Sequence, residues 1–224
     1  MTKNIAKKTA PVHSANGGRG EETRRMILDA AIKVFAKNPY NAASIRMVAA
    51  QGGFYHGLIR YHFPNKAELF QTVVEEICRN LIQANKEWVS EVSRLSPEKA
   101  LAHYLDRFIE FCKNQPEVFR IIVQNISHDD PVSLPGYSNF LNLATSTQEE
   151  FENTYKGLPK NVVHSFLTSF NVLVVNYLGA DKFNSELVGM TPKSDEYHRW
   201  VKETMLSIFL PLIKEMASSA LSAF

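Results

Sequence analysis

The sequence predicts an all-α protein, with a short three-helix domain of helix-turn-helix type at the N-terminus and a longer helical domain behind it. Three observations carry this reading. Apolar residues recur at three- and four-residue spacing through nearly every segment beyond residue 20. Capping residues, prolines and paired glycines punctuate those segments. Charge is divided unevenly: residues 1–66 hold eleven Lys/Arg against three Asp/Glu, and residues 67–224 hold fourteen against twenty. The net charge of +2 conceals that division.

Residues 1–20, ending NGGRG, lack a sustained period and are expected to form a flexible basic arm. The run EETRRMILDAAIKVFAKN then places Ile27, Ala30, Ala31, Val34 and Phe35 on one apolar face, with Arg24, Arg25, Lys33 and Lys37 on the wet side. Glu21 and Glu22 favour the N-terminal end of this helix. The stretch NPYNAA, 38–43, breaks it, because proline does not suit a helix interior. Ser44 caps a second helix carrying Ile45, Val48 and Ala49, and Gly52-Gly53 ends it. A third helix, about 55–61, is too short to stand alone and must be held by packing. Leu58 and Ile59 are its expected anchors, Gly57 permits close backbone approach, and Phe63 plugs the seam between helices. Phe63-Pro64 marks a break, and Asn65 with Glu68 forms a capping box for a helix starting at Lys66. The first domain is therefore placed at 21–66 and the second at 67–224.

In the second domain a long helix is expected over about 66–90. Ser96 caps the next, with Pro97 at its first position and Leu101, Tyr104, Leu105, Phe108 and Cys112 inward. Helices about 116–126, 137–155, 159–178 and 196–219 follow, with no assignment between the last two. The segment NVVHSFLTSFNVLVVNYLG is apolar around much of its circumference, so it is either central or buried between subunits, and Gly179 is placed to stop it. The last helix presents Val201, Met205, Ile208, Phe209, Leu212 and Met216, with Pro211 expected to bend it. Together with Val163, Phe166, Phe170 and Val174, these residues are expected to form a four-helix contact between two copies of the chain.

Several function classes lack support. Cys78 and Cys112 supply neither a disulfide framework nor a compact metal motif. GGRG near residue 17 lacks the spacing and terminal Lys-Ser/Thr of a phosphate loop. SHDD, Ser127 to Asp130, holds acid-base residue types without the arrangement of a triad, and the seven histidines form no HExxH or His/Cys ladder. Catalytic residues, cofactor and metal are therefore all expected to be none, with a helical ligand-binding enzyme as a rival reading. Neither a signal peptide nor a run of eighteen uncharged apolar residues is found, so the expectation is cytoplasmic, without a membrane partner.

The basic first domain suggests a polyanionic partner, either duplex DNA or an anionic membrane surface. The helix spacing favours DNA: one short helix supports a second across a tight glycine turn, the second enters the major groove, and basic residues at helix ends hold phosphates. Arg46, His56, Arg60, Tyr61, His62 and Lys66 are the candidate outward groups.

At TRRMILDAAIKVFAKNPYNAASIRMVAAQGGFYHGLIRYHFPNKAELF, Thr23 to Phe70, the sequence resembles the tetracycline-repressor-like (TetR) transcriptional regulators. The resemblance implies a DNA-binding domain of three helices, an all-helical ligand-sensing domain and a homodimer that usually represses transcription. It places Ser44 at a phosphate with Arg46 two positions on, puts the recognition helix on Tyr55, His56 and Leu58 through His62, and leads to the expectation that Tyr61 and Lys66 position the DNA backbone. Tyr55, His56 and Leu58 depart from the commonest residues of that pattern, so base preference is not carried over; Tyr55 and His56 are expected to help choose sequence. The expected partners are double-stranded operator DNA, a second copy of the chain, and a small, partly apolar effector. Tyr104, Phe108, Phe119, Gln124, His128, His164, Phe170 and Asn171 are the candidate effector contacts; ordinary core packing would account for the aromatic ones equally. Activation instead of repression is compatible with the same residues.

Overall fold

The computed structural model describes residues 15–127, 130–154 and 159–222, and within them every regular element is helical. Helices α1 (Ala15–Phe35), α2 (Ile45–Gly52) and α3 (His56–His62) form the head. The body holds α4 (Lys66–Val92), α5 (Pro97–Asn114), α6 (Pro116–Ile126), α7 (Tyr137–Thr154), α8 (Lys160–Gly179), α9 (Asp181–Leu187) and α10 (Asp195–Ser222). A single 3-10 turn, Pro131–Ser133, precedes α7. Two expectations change here. Helix α1 starts at Ala15, inside the stretch expected as an arm, so Glu21 and Glu22 lie in its second turn, while residues 1–14 fall outside the described region. The interval left unassigned between the last long helices contains α9.

Local chemistry explains most of the boundaries. Ser44 Oγ accepts the Met47 amide at 3.3 Å and so caps α2. Asn65 Oδ1 accepts the Glu68 amide at 2.9 Å, and Asn65 Nδ2 donates to Glu68 Oε1 at 2.9 Å, which fixes the start of α4 where the capping-box reading put it. Pro97 and Pro116 occupy first-turn positions, where their missing N–H is not needed. Pro211 lies within α10, which continues past it.

The body packs α4 on α7, α6 on α8 and α5 on α10. Val163, Phe166, Phe170 and Val174 of α8, and Val201, Met205, Phe209 and Met216 of α10, are all buried within the single chain. They were expected between subunits, but their stripe is the inward face of each helix, and only Ile208 and Leu212 of that set are exposed. Helix α8 is also long and apolar enough on average to cross a membrane by length and composition, although polar residues such as His164, Ser165 and Asn171 interrupt its apolar run; here it is packed against α6, α7 and α10. Gly179 does not stop α8 through a left-handed turn. A Cβ at that position would lie 2.6 Å from the Phe119 carbonyl oxygen and 2.6 Å from Val123 Cγ2, so the bare α-carbon lets α8 close onto α6.

Head and body are joined through the turn between α1 and α2, several of whose backbone groups are satisfied by side chains from distant helices. Lys66 Nζ donates to the carbonyls of Tyr40 at 2.9 Å and Ala43 at 3.1 Å, and lies 4.2 Å from the centroid of the Tyr40 ring. From α6, Asn125 Oδ1 accepts the Tyr40 amide at 3.0 Å, and Gln124 Nε2 donates to the Ala36 carbonyl at 3.0 Å. Asn125 Nδ2 donates to the Ile121 carbonyl at 2.7 Å, which holds the amide of this buried residue in position. Lys66 was expected to face a phosphate, and Gln124 an effector; both are instead committed to this turn.

Two outcomes follow from this packing. Gly179→Ala should lower the unfolding free energy by about 1–3 kcal/mol, since backbone rather than a flexible side chain blocks the added methyl; a urea midpoint equal to the parent's would contradict the close α6–α8 contact. Lys66→Ala should cost about 1–3 kcal/mol through the two stranded carbonyls, whereas Arg60→Ala, at an exposed position, should stay within about 0.5 kcal/mol. Thermal melts of both variants check this, and equal stability would free Lys66 for another role.

Candidate nucleic-acid interface

The two glycines ending α2 do different things. Gly53 takes a left-handed conformation, φ +70°, and its amide returns to the Ala49 carbonyl. At Gly52 a Cβ would meet Cε2 of Phe54 at 2.0 Å, because that ring folds back over the helix end. Together they turn the chain so that α3 starts four residues after α2 ends, with Tyr55 as its N-cap. Ile59, 0% exposed, and Phe63, 2% exposed, fix the inner side of α3, and Arg24 lies 4.9 Å from the centre of the Phe63 ring.

The outer side of α3 carries Tyr55 at 89%, Tyr61 at 83% and Leu58 at 37% exposure. Leu58, expected to anchor the helix inward as well as to face DNA, is largely covered with part of its side chain outward, while Ile59 and Phe63 are fully inward. His56 and Arg60 are exposed beside them, Arg46 is exposed on α2, and Ser44 is half-buried at its cap. His62 is half-buried with its ring edge-on to Tyr61, centroids 5.1 Å apart. A Cβ on Gly57 would meet nothing within 4 Å, and its backbone is not left-handed. The fold therefore has no internal need for glycine there, and a helical glycine is about 1 kcal/mol worse than alanine. The absent side chain leaves bare backbone on the outer face of α3, beside Arg60, His56 and two phenol rings.

In the body, Tyr104, Phe108, Phe119 and Phe170 do come together, in an aromatic cluster with Trp88 and Phe209. Ring centroids lie 5.2 Å apart for Phe108–Phe119, 5.8 Å for Tyr104–Phe170 and 5.2 Å for Phe170–Phe209. Within this cluster the Tyr104 hydroxyl donates to Asn85 Oδ1, and burial pushes the Tyr104 pKa up. The other candidates are placed elsewhere. His164 is exposed, with Nε2 3.0 Å from Glu152 Oε1. Asn171 is half-buried, Gln124 reaches the head, and His128 lies outside the described residues. Cys78 and Cys112 are buried, and burial pushes each thiol up to about 12, far from thiolate chemistry at neutral pH. Among the described residues no three His, Cys, Asp or Glu side chains gather as a metal site.

Sequence reasoning missed Tyr40, Asn85 and the head-facing role of Asn125. The one signal was chemical: Gln124-Asn125 puts two amides at the end of the apolar run VFRIIV, and buried amides need partners. Which partners was not local information, since Tyr40 and Asn125 stand 85 positions apart.

Residues 27–73 match the sequence model of a family described as bacterial regulatory proteins, tetR family. Among curated proteins the chain is similar to the HTH-type transcriptional repressor NicS of Pseudomonas putida, 27% identical over 49% of this chain and 51% of that one. It is also similar to the HTH-type transcriptional activator FasR of Mycolicibacterium smegmatis, 24% identical over 54% of this chain and 58% of the relative. The match thus spans only about half the length of these curated relatives. A solved tetR-family transcriptional regulator from Streptomyces coelicolor has the same fold over 90% of this chain and 88% of its own, with a TM-score of 0.60 at 13% identity. The matched motif coincides with most of the head and with the start of α4, and the likeness to the solved structure extends through the body, so residues 27–73 carry the tetR-family motif and the described chain has the fold of that solved regulator.

Proposed function

We propose that the chain is a sequence-specific DNA-binding transcriptional regulator of the cytoplasm. In this reading a homodimer binds operator DNA as a repressor and leaves it when a small, partly apolar effector enters the body. The observation that carries the DNA reading is the outer face of α3. It combines Tyr55, Leu58, Arg60 and Tyr61 with a glycine the fold does not need, and Arg46 stands nearby on α2. Arg46, Arg60 and Ser44 suit phosphate contact, which positions the helix, while Tyr55, His56, Leu58 and Tyr61 suit base edges. Tyr61 and His62 share a ring contact, so each steadies the other at the groove.

The dimer is assigned to the outer faces of α8 and α10. Val172 at 59%, Ile208 at 41% and Leu212 at 45% exposure are apolar groups left open there, and Ile208 and Leu212 stand one helical turn apart. Two heads would then meet successive major grooves, roughly 34–36 Å apart per turn of duplex. For the effector, the aromatic cluster with the Asn85–Tyr104 pair offers apolar walls and a single polar handle. Helix α6 contributes Phe119 to that cluster and Gln124 and Asn125 to the head, so a ligand that moves the ring moves the clasp. It releases DNA only if it prefers the released state.

Selection from a randomised duplex library should recover a two-fold-related sequence, bound with an affinity that falls steeply with added salt because phosphates release counterions. Failure to enrich any duplex, with or without candidate effectors, would end the DNA reading. Gly57→Ala should keep or slightly raise thermal stability and yet lose most operator affinity; full affinity would show that nothing approaches the bare backbone. Ile208→Glu combined with Leu212→Glu should convert the dimer to monomer in sedimentation, and an unchanged dimer would put the subunit contact elsewhere. A compound that releases the native protein from operator should release Asn125→Ala much less; equal release would dissociate α6 from the response. Transcription from the operator with and without protein separates repression from activation.

A further inference from the structure

We infer that α3 selects its operator by the methyl groups of thymine, with Leu58 and Tyr55 as the reading side chains; this rests on the DNA-binding reading above. Tyr55 and Leu58 are three positions apart, and His62 follows four later, so the three form one stripe along the short helix. Ile59 and Phe63 are buried on the inner side, whereas Tyr55 is 89% and Leu58 37% exposed, so the outward part of the Leu58 side chain faces water. An occupant that covers this stripe offers apolar surface, and one that is anionic around that surface is favoured by Arg60 beside Leu58 and by Arg46 on the supporting helix.

Duplex DNA meets both conditions at one kind of place. Of the four bases in the major groove, only thymine presents an apolar group, its C5 methyl. Leu58 has no hydrogen-bonding atom and cannot read guanine, adenine or cytosine edges. Tyr55 has a ring to lay on a methyl and one hydroxyl, short of the paired donors that bidentate guanine contact requires. Within α3, Arg60 alone carries such a fork. Next to Leu58, Gly57 has no side chain to hold the helix away from the groove floor, and a Cβ there would meet no atom of the protein. Contact at van der Waals distance is thus open to the side chain that needs it.

The test uses full-length protein and the operator obtained by selection. Each thymine is replaced in turn by deoxyuridine, which removes the C5 methyl and leaves every hydrogen-bonding atom in place. One or two positions in each half-site should lose affinity about four-fold, as expected for one buried methyl. Leu58→Ala should abolish that loss at one position, and Tyr55→Ala at the other, with duplexes retaining their rank elsewhere. Thermal melts confirm that both variants, altered at exposed positions, remain folded. Deoxyuridine duplexes that all bind like the parent, while selection still yields a specific operator, would overturn the inference and leave the DNA reading standing. A loss that persists undiminished in both variants would overturn the assignment to Leu58 and Tyr55. No enriched duplex at all would remove the inference together with the reading beneath it.

Discussion

The geometry of the head on the body depends on how the backbone of residues 36–43 is satisfied. This turn leaves helix α1, carries a proline, and must present carbonyls and amides near the seam between head and body. Unpaired polar groups there would cost about 1–3 kcal/mol each. Turn hydrogen bonds to Ile32, Val34 and Pro39 meet part of the need, and side chains meet the rest: Lys66 from the first turn of α4, and Gln124 and Asn125 from the last turn of α6. Because those hydrogen bonds are directional, they set an orientation as well as a contact. The Tyr40 ring, 4.8 Å from Phe70 between centroids, adds an apolar wedge beneath the same turn.

From this constraint the rest of the arrangement follows. The turn leads directly into Ser44 and α2, and α2 leads through Gly52-Gly53 into α3, so the direction of the exposed Tyr55–Leu58–Tyr61 face is inherited from the clasp. Nearer its start, at Phe119 and Val123, α6 closes onto α8 through the missing side chain of Gly179, and the Phe119 ring lies among the rings of the body. One eleven-residue helix thus meets the head, the aromatic cluster and the helix proposed to face the second subunit. Under the proposed function, that is the physical requirement for a ligand in the body to be felt at α3: a rigid element with directional bonds at one end and tight packing along its length.

Local signals made much of this legible in advance. Capping by Ser44 and Asn65, the double-glycine turn, the prolines at helix starts and the burial of Ile59 and Phe63 all follow from rules that act within a few residues. Errors arose where a residue's partner is remote. Lys66 reads as a free cation because nothing in its neighbourhood names Tyr40 or Ala43; Gln124 reads as a pocket residue because its acceptor is 88 positions away. The apolar stripes of α8 and α10 were read correctly as stripes and assigned to the wrong neighbour, since periodicity reports that a face is buried and not by what. His164 went the other way: an oily helix suggested burial, yet the residue lies on the solvent side against Glu152.

Amide hydrogen exchange at Tyr40 tests the clasp most directly. Its N–H is held by the buried side-chain oxygen of Asn125, so it should exchange as slowly as the central amides of α6 and gain speed together with them as denaturant is added, marking turn and helix as one cooperative unit. A Tyr40 amide that exchanges at the rate of an unstructured peptide while Ile121 and Ile122 remain protected would contradict the account, because the head would then be oriented by something other than α6.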